Sequence, residues 1–306
     1  MDLNSKLIGH DKTFYNFVDL YKKKKLPKKI LIKGYKGIGK FLFCIHFLNY
    51  VFSFDEEYVY DLNNLKINLK NRSYMLFKNK SHPNISIIDK HDDKKNIEIS
   101  QIRKLSLFHN SSTFNNKSKF IVINDIASLN LNSTNALLKS IEDPNENIFY
   151  ILTYNTGNKI QDTLRSRCVE FKLKLGIEDV KIIIDDYFSD NIYETISSDF
   201  INHYSNPSFL ISLISYLNKN NLDHKNLTIE NLINFIIDNK DYIKNNFINE
   251  NLNILIELFF YKNINISNNL KYNLKKYFYL KLNEIKKYNL DMEIFFLEFR
   301  NQLLNE

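Results

Sequence analysis

An eight-residue loop near the amino end decides the fold, and it reads Gly34-Tyr35-Lys36-Gly37-Ile38-Gly39-Lys40-Phe41. The usual phosphate-binding loop follows the pattern G-x-x-x-x-G-K-[ST], in which backbone amides and the lysine surround phosphates and a Ser or Thr hydroxyl holds Mg²⁺. Phe41 occupies that last position and has no oxygen for a metal ion. The loop therefore predicts a degenerate nucleotide site built from Gly34, Gly37, Gly39 and Lys40, with binding but no efficient hydrolysis.

The segments on either side of the loop support this interpretation. Residues 29–33 predict a short buried strand that leads directly into the loop, and residues 41–52 predict a helix after it. Strand, glycine loop and helix form the context that the motif requires, whereas a chance glycine-rich turn has no reason to occur there. A helix beginning at this point directs free N–H groups and the positive end of its dipole towards a phosphate.

Strand and helix patterns alternate along the first half of the chain. Further strands are predicted at residues 85–89, 120–125, 148–153 and 169–173. Helices are predicted at residues 98–109, 133–142 (with Ser133 as the N-cap) and 160–166. This alternation favours an α/β fold in which helices cover both faces of a parallel sheet.

Beyond residue 175 the strand patterns stop. Helices are predicted at residues 178–188, 193–203 and 207–217, followed by about four helical segments between residues 228 and 306. One apolar stripe in the last region is interpreted as a core face, and its members are Leu270, Leu274, Tyr277, Phe278, Leu282 and Ile285.

Composition restricts the cellular setting and the partners. The 306 residues are 44% hydrophobic and carry a net charge of +7, enough for several domains and a surface suited to a phosphate-bearing partner. The abundance of Lys and Asn offers a second explanation, which is compositional drift. Two distant cysteines, no signal-peptide pattern and no long apolar run predict a reducing, cytoplasmic setting. The run Lys22–Lys25 is a solvated helix end by default, and a contact with DNA phosphates is the alternative.

The predicted strand at 120–125 ends in an acid, Asp125. In phosphate-loop ATPases an acid at such a strand end assists Mg²⁺ through its water shell. Many of these enzymes have a glutamate directly after it to orient the attacking water, but here Ile126 follows. A second hydrolytic group is therefore missing, and a helix cap or turn is the alternative role for Asp125.

Two further segments share a pattern with a known family. The first is Asn135-Ala-Leu-Leu-Lys-Ser-Ile-Glu142-Asp-Pro144, and the second is Thr163-Leu-Arg165-Ser166-Arg167-Cys168. They resemble the bacterial clamp-loader branch of the AAA+ ATPases, whose signature is the Ser-Arg-Cys triplet. Leu7-Ile8-Gly9-His10 is similar to the amino-terminal segment of that family, and the resemblance extends over residues 7–173.

The resemblance implies a three-part chain: an AAA+ phosphate-loop module (1–174), a small helical lid (175–218) and an all-α collar domain for oligomerisation (219–306). It implies a non-hydrolysing accessory subunit of the DNA polymerase III clamp loader. The partners would be gamma/tau and delta subunits, the sliding clamp and primer–template DNA bound without sequence preference.

The same resemblance assigns roles within the triplet. Arg167, between Ser166 and Cys168, would be an arginine finger that acts in trans on the nucleotide of a neighbouring subunit. A permanently charged, planar donor can stabilise the charge that builds on a transferring phosphate. Arg165 is expected to be solvated or phosphate-facing, and Cys168 to serve packing.

Several departures from the family pattern shape the remaining expectations. Residues 53–84 contain no cysteine, so the four-cysteine zinc module of many members is not expected. Phe209, in Ser205-Asn206-Pro207-Ser208-Phe209, aligns with an arginine that senses the γ-phosphate. ATP or ADP is accordingly expected to bind weakly or not at all. The alternative is a hydrolysing, gamma/tau-like subunit whose Mg²⁺ is held through water by Asp125.

Overall fold

The computed structural model describes residues 5–90, 94, 96–111, 117–142, 147–202, 205–243, 245–262, 268–288 and 290–304, without the side chains of Asn268 and Lys286. The chain divides into two compact units, Met1–Asp179 and Val180–Glu306. The division of the second part into a lid (175–218) and a collar (219–306) stays a prediction.

In the described part of the chain, the first unit contains one five-stranded sheet. Its strands are β1 (Lys29–Gly34), β2 (Ile85–Ile88), β3 (Lys119–Ile123), β4 (Ile148–Asn155) and β5 (Val169–Lys172). The order across the sheet is β2-β3-β4-β1-β5, and every neighbouring pair is parallel. The predicted α/β class with a parallel sheet is confirmed.

Helices connect these strands. They are α1 (Asp11–Lys22), α2 (Lys40–Ser53), α3 (Arg72–Lys78), α4 (Ile99–Arg103), α5 (Leu105–Asn110), α6 (Leu131–Glu142), α7 (Asp162–Arg165) and the first residues of α8 (Ile177–Phe188). The single helix predicted at 98–109 is wrong, because α4 ends before Lys104 and α5 begins after it.

The predicted N-cap of α6 is also wrong. The helix begins at Leu131, and the Asn130 side chain accepts a hydrogen bond from the Ser133 backbone N–H at 2.8 Å. Asn caps a helix as well as Ser does, so the earlier residue takes the role. Ser133 lies inside the helix, and its hydroxyl donates to the Ile97 carbonyl at 3.2 Å. Pro144, expected just past this helix, is outside the described residues.

Successive side chains along a strand point to opposite faces of the sheet. Because both faces carry apolar side chains, helices cover both of them. In β3, Phe120 and Val122 join the core formed with α1 and α2. Ile121 and Ile123, between them, join the core formed with α4 and α6. All four are fully buried, and this two-sided burial explains why the strand sequences read as continuous apolar runs.

The second unit is helical throughout its described residues. It contains the rest of α8, then α9 (Ile192–Thr195), α10 (Pro207–Lys219), α11 (Ile229–Asp238), α12 (Asn246–Lys262), α13 (Asn268–Tyr288) and α14 (Met292–Leu303). The helix predicted at 193–203 is instead the short α9 followed by a 3₁₀ turn, Ser198–Phe200; residue 203 lies outside the described set.

Aromatic packing joins the last three helices of this unit. The ring centroid of Phe299 in α14 lies 5.0 Å from the ring centroid of Phe259 in α12 and 4.9 Å from that of Phe278 in α13. The predicted core stripe of α13 is therefore partly correct: Phe278, Leu282 and Ile285 are buried. Leu270 and Tyr277 are exposed. None of the described helices is long and apolar enough to cross a membrane.

The cysteine-free segment between α2 and β2 is organised by a buried hydrogen-bond network. The Glu56 carboxylate accepts from Asn71 Nδ2, from the Ser73 backbone N–H and from Ser73 Oγ, all within 3.1 Å. Asn71 Oδ1 in turn accepts from Asn49 Nδ2 at 2.8 Å and from the Tyr74 N–H at 2.7 Å. Within the described residues no group of His, Cys, Asp and Glu could hold a metal ion.

His82 lies at the end of this segment and stabilises a turn. Its Nδ1 accepts a hydrogen bond from the Asn84 backbone N–H at 3.2 Å, and its ring packs in a tilted arrangement against Phe52 with centroids 4.6 Å apart. Burial lowers the pKa of His82 to about 4, with Glu56 opposing this shift and Lys117 adding to it. The folded chain therefore holds this histidine neutral at physiological pH.

We predict an acid-sensitive contribution of His82 to stability. The unfolded chain binds a proton near pH 6.5 and the folded chain only near pH 4, so the contribution is present above the first value and is lost as pH falls towards the second. The His82→Asn variant keeps an acceptor for the turn but does not titrate. Between pH 7 and pH 5 the wild type should lose about 1–2 kcal/mol of unfolding free energy relative to this variant. Urea unfolding at both pH values measures it, and equal losses would contradict the prediction.

Candidate functional site

The phosphate loop lies between β1 and α2, at the carboxyl edge of the sheet. Gly39 adopts a left-handed conformation (φ 88°) just before α2, which favours glycine. At Gly34, a Cβ atom would lie 2.5 Å from Ile38 Cδ1 and 3.0 Å from the Leu173 carbonyl oxygen. No side chain caps α2, so its first backbone amides are available to an anion.

Lys40 is turned back onto the loop that carries it. Its ammonium donates to the carbonyl of Gly34 at 3.1 Å, to the carbonyl of Tyr35 at 2.6 Å and to Asn155 Oδ1 at 2.7 Å. A lysine ammonium has three N–H donors, so these acceptors use its full capacity. A phosphate that reached Lys40 would have to replace at least one of them.

Asn155 belongs to this site although the sequence did not single it out. The predicted strand ended at residue 153, whereas β4 continues to Asn155, which pairs with Gly34 in the parallel register. This register brings the Asn155 amide beside the phosphate loop. The sequence does show a polar residue at the end of an apolar strand. That pattern could identify Asn155 as a site residue only if the strand that neighbours β1 in the sheet were already known.

Asp125 supplies the negative charge of the site. Burial lowers the pKa of Lys40 to about 8, and the Asp125 carboxylate partly opposes this shift. The Asp125 backbone N–H donates to Thr153 Oγ1 at 2.9 Å, and its Oδ2 accepts from Ser128 Oγ at 3.2 Å. Asp125 thus forms the turn after β3, which was the alternative role.

The second carboxylate oxygen of Asp125, Oδ1, shows whether the phosphate-loop site suits a nucleotide with Mg²⁺. Oδ1 is buried and has no hydrogen-bond partner among the described residues, which suits a water-held cation. Apolar residues occupy the positions of the two missing groups: Phe41, in the first turn of α2, packs against the core, and Ile126 is buried. The residues present fit the phosphates and one outer-sphere carboxylate, and they lack a direct metal ligand and a water-orienting acid.

The amino-terminal segment that contains Gly9 and His10 packs against the phosphate loop. His10 Nε2 contacts the Ile38 carbonyl at 2.7 Å, and the imidazole is buried. The preceding Gly9 leaves no room for a side chain, since a Cβ there would lie 2.4 Å from Leu175 Cδ1. The segment singled out by its family likeness therefore supports the loop directly.

Arg167 lies at the other edge of the sheet. It precedes β5, and β5 runs parallel to β1 with Val169 opposite Ile30. Lys40, by contrast, lies at the end of the loop that follows the last residue of β1, Gly34. Since a parallel strand rises about 3.3 Å per residue, the six-residue β1 separates the two edges by roughly 16 Å. The Arg167 side chain is 39% exposed and does not serve the loop of its own chain.

The two arginines of the segment have different surroundings. Arg165 Nη2 lies 3.1 Å from the carboxylate of Glu170, which also accepts from Tyr154 Oη at 2.9 Å. Arg167 instead contacts Glu142, at the end of α6, with Nη2 to Oε1 at 2.7 Å. Arg165 is thus part of a strand-edge network, whereas Arg167 is bound to the end of α6.

The neighbours of Arg167 in the triplet have structural contacts. The Ser166 hydroxyl donates to the Thr163 carbonyl at 3.1 Å, which ties the end of α7. Cys168 packs against the core on the α4 and α6 side of the sheet, and burial raises its thiol pKa to about 11. A thiol with a raised pKa is mostly protonated and unreactive at neutral pH, and these surroundings suit the packing role, which stays a prediction.

Phe209 and the run Lys22–Lys25, the two other candidates, have ordinary structural contacts. Phe209 is buried in the second unit, stacked on Phe247 with ring centroids 6.2 Å apart. The lysines from Lys22 to Lys25 are all exposed at the end of α1, and Lys23 pairs with Asp19 at 2.8 Å. The solvated helix end, the default interpretation of this run, agrees with the structure.

Comparison with known proteins identifies the family. The sequence model of the family described as "DNA polymerase III, delta subunit" matches residues 9–175, more than half of the chain. The chain therefore belongs to this family, and it is related to the subunits of the DNA polymerase III clamp loader. The match covers both the phosphate loop and the Arg167 segment.

Individual relatives carry two different subunit names. In Buchnera aphidicola (subsp. Schizaphis graminum), DNA polymerase III subunit gamma is 35% identical over 122 residues, 37% of this chain and 34% of the relative. Subunit delta' of the same organism is 27% identical over 169 residues, 55% of this chain and 49% of the relative. The chain thus spans about a third to a half of the length of these curated relatives.

Shape similarity extends further along the chain. A gamma subunit-related protein of DNA polymerase III from Thermotoga maritima superposes with a TM-score of 0.55 at 15% identity, covering 92% of this chain and 96% of that one. At this identity the likeness concerns the fold alone. The parallel sheet, the phosphate loop and this likeness together show the AAA+ fold.

We predict that Asn155 restrains nucleotide binding by occupying Lys40. The Asn155→Ala variant frees one N–H of the ammonium, so a phosphate no longer has to break that hydrogen bond. Affinity for a fluorescent ATP analogue should rise about three- to tenfold, since a hydrogen bond to a charged group contributes about 1.5–3 kcal/mol and only part of it is recovered. Asn158→Ala, on the exposed turn just beyond, is the matched control. Weaker binding in Asn155→Ala would mean that Asn155 contacts the nucleotide itself.

Proposed function

We propose that this chain is a non-hydrolysing accessory subunit of a bacterial DNA polymerase III clamp loader, of the delta prime kind. One observation carries the proposal: Lys40 and Arg167 lie at opposite edges of the same sheet. The three donors of the lysine ammonium are occupied by its own chain, and the arginine is exposed at the edge opposite that pocket. Such a chain serves a nucleotide held by another subunit.

The chemistry of its own pocket supports the first half of the proposal. Transfer of a phosphoryl group needs a metal ion that bridges the phosphates and a residue that orients the attacking water. Phe41 and Ile126 supply neither function. When bound, Mg²⁺ would neutralise charge on the phosphates, and Asp125 would hold it through water. ATP or ADP would therefore bind weakly and remain intact.

Arg167 supports the second half. A guanidinium is always charged, and its planar donors match phosphate oxygens. Placed in trans against a transferring phosphoryl group, such a side chain stabilises the charge of the transition state. This role requires an arginine on the outer surface of its own chain, beyond reach of its own pocket, and that is where Arg167 lies.

Partners and setting follow from the same proposal. The chain would assemble with gamma/tau and delta subunits in the cytoplasm, with its helical second part contributing to the collar. The complex would load a sliding clamp onto primer–template DNA. The net charge of +7 would favour sequence-independent contacts with DNA phosphates.

A gamma/tau-like, hydrolysing subunit is the second candidate. The 35% identical gamma relative favours it, as does Asp125 Oδ1, which has no hydrogen-bond partner in the described part of the chain. We expect the purified chain to hydrolyse no ATP above background, because the direct metal ligand and the water-orienting acid are missing. A coupled phosphate-release assay measures this, with Lys40→Ala as the control. Turnover that disappears in Lys40→Ala would support the second candidate instead.

We predict that Arg167→Ala disables the neighbouring ATP site without affecting assembly. The clamp-loader complex is reconstituted with gamma/tau subunits in which only the site facing this chain keeps its loop lysine. DNA-stimulated turnover at that site should fall at least about 100-fold, since arginine fingers contribute about 10³–10⁵ in kcat. Gel filtration checks that the complex still forms.

Arg165→Ala is the matched control, because it removes the adjacent arginine, which lies in the Glu170 network. Turnover in this variant should stay within about threefold of the wild type, as expected for an exposed ion pair. A wild-type rate in Arg167→Ala would exclude the trans role of Arg167.

A further inference from the structure

The guanidinium of Arg167 is oriented by two acceptors of its own chain. Glu142 Oε1 accepts a hydrogen bond from Nε at 2.9 Å and forms an ion pair with Nη2 at 2.7 Å. The Thr163 carbonyl accepts from Nη1 at 2.8 Å. These contacts define the plane of the group, because the three nitrogens are coplanar.

The same contacts leave donors for a ligand. Each terminal nitrogen of a guanidinium carries two N–H groups. Among the described residues, Nη1 and Nη2 of Arg167 each have a single acceptor. At least one N–H therefore remains on each terminal nitrogen, and charged donors of this kind bind phosphate oxygens strongly.

Glu142 is well placed to hold the arginine steady. It is the last residue of α6, and that helix is anchored in the core by Leu137 and Ile141, both fully buried. Its side chain is 53% exposed, so the ion pair is weak enough for a partner to approach. A long arginine side chain loses rotamer freedom when it binds, and prior restraint reduces that loss.

We propose that Glu142 is the positioning residue for Arg167, and that it holds the guanidinium with two free donors directed towards a phosphate of the neighbouring subunit. The inference rests on the proposed trans role of Arg167. Glu142 itself contacts no nucleotide and acts through the arginine.

The test uses the reconstituted complex with a single active site described above. Glu142→Ala should lower kcat for DNA-stimulated ATP hydrolysis about three- to tenfold and leave KM for ATP unchanged, because the finger acts in the transition state. Glu142→Gln keeps an oxygen acceptor without the charge and should retain most of the turnover. Glu170→Gln, in the adjacent ion pair with Arg165, should leave turnover unchanged.

A double variant separates positioning from a general structural effect. In an Arg167→Ala background, Glu142→Ala should cause no further loss, because both changes remove the same interaction. A further loss in that background, or full activity in Glu142→Ala alone, would overturn the role of Glu142 while the finger stands. Full activity in Arg167→Ala would instead overturn the proposed function itself.

Discussion

The parallel pairing of β1 with both β4 and β5 is the constraint on which the two candidate sites depend. Parallel strands share one direction, so the segment that leaves β1 and the segment that enters β5 must lie at opposite edges of the sheet. The phosphate loop follows the last residue of β1, and Arg167 lies just before the first residue of β5. The topology alone therefore keeps Arg167 away from the phosphate loop of its own chain.

Hydrogen-bond capacity distinguishes the two cations more clearly than charge does. Lys40 has all its donors occupied by loop carbonyls and Asn155, in a buried position that lowers its pKa. Arg167 is held by Glu142 and Thr163 with donors to spare. A saturated, desolvated ammonium binds a new anion only by exchange, whereas a restrained guanidinium can add one.

The two units are related to known proteins in different ways. The family match covers residues 9–175, which include both candidate sites. The shape likeness covers 92% of the chain at 15% identity. In the second unit, Phe278 and Phe299 pack with ring centroids 4.9 Å apart, and cores of this kind tolerate apolar substitutions that keep volume and patterning.

The sequence by itself determined the phosphate loop, the alternating strands and helices, and the absence of a hydroxyl at Phe41, because these are local patterns of residue type and spacing. It misplaced the cap of α6, since Asn130 and Ser133 are equally good caps by residue type. Only the tertiary structure decided that Asn155 occupies Lys40 and that Glu142 rather than Glu170 holds Arg167. Those contacts depend on strand register and on where a helix ends, and residues so far apart along the chain leave no local signal of their pairing.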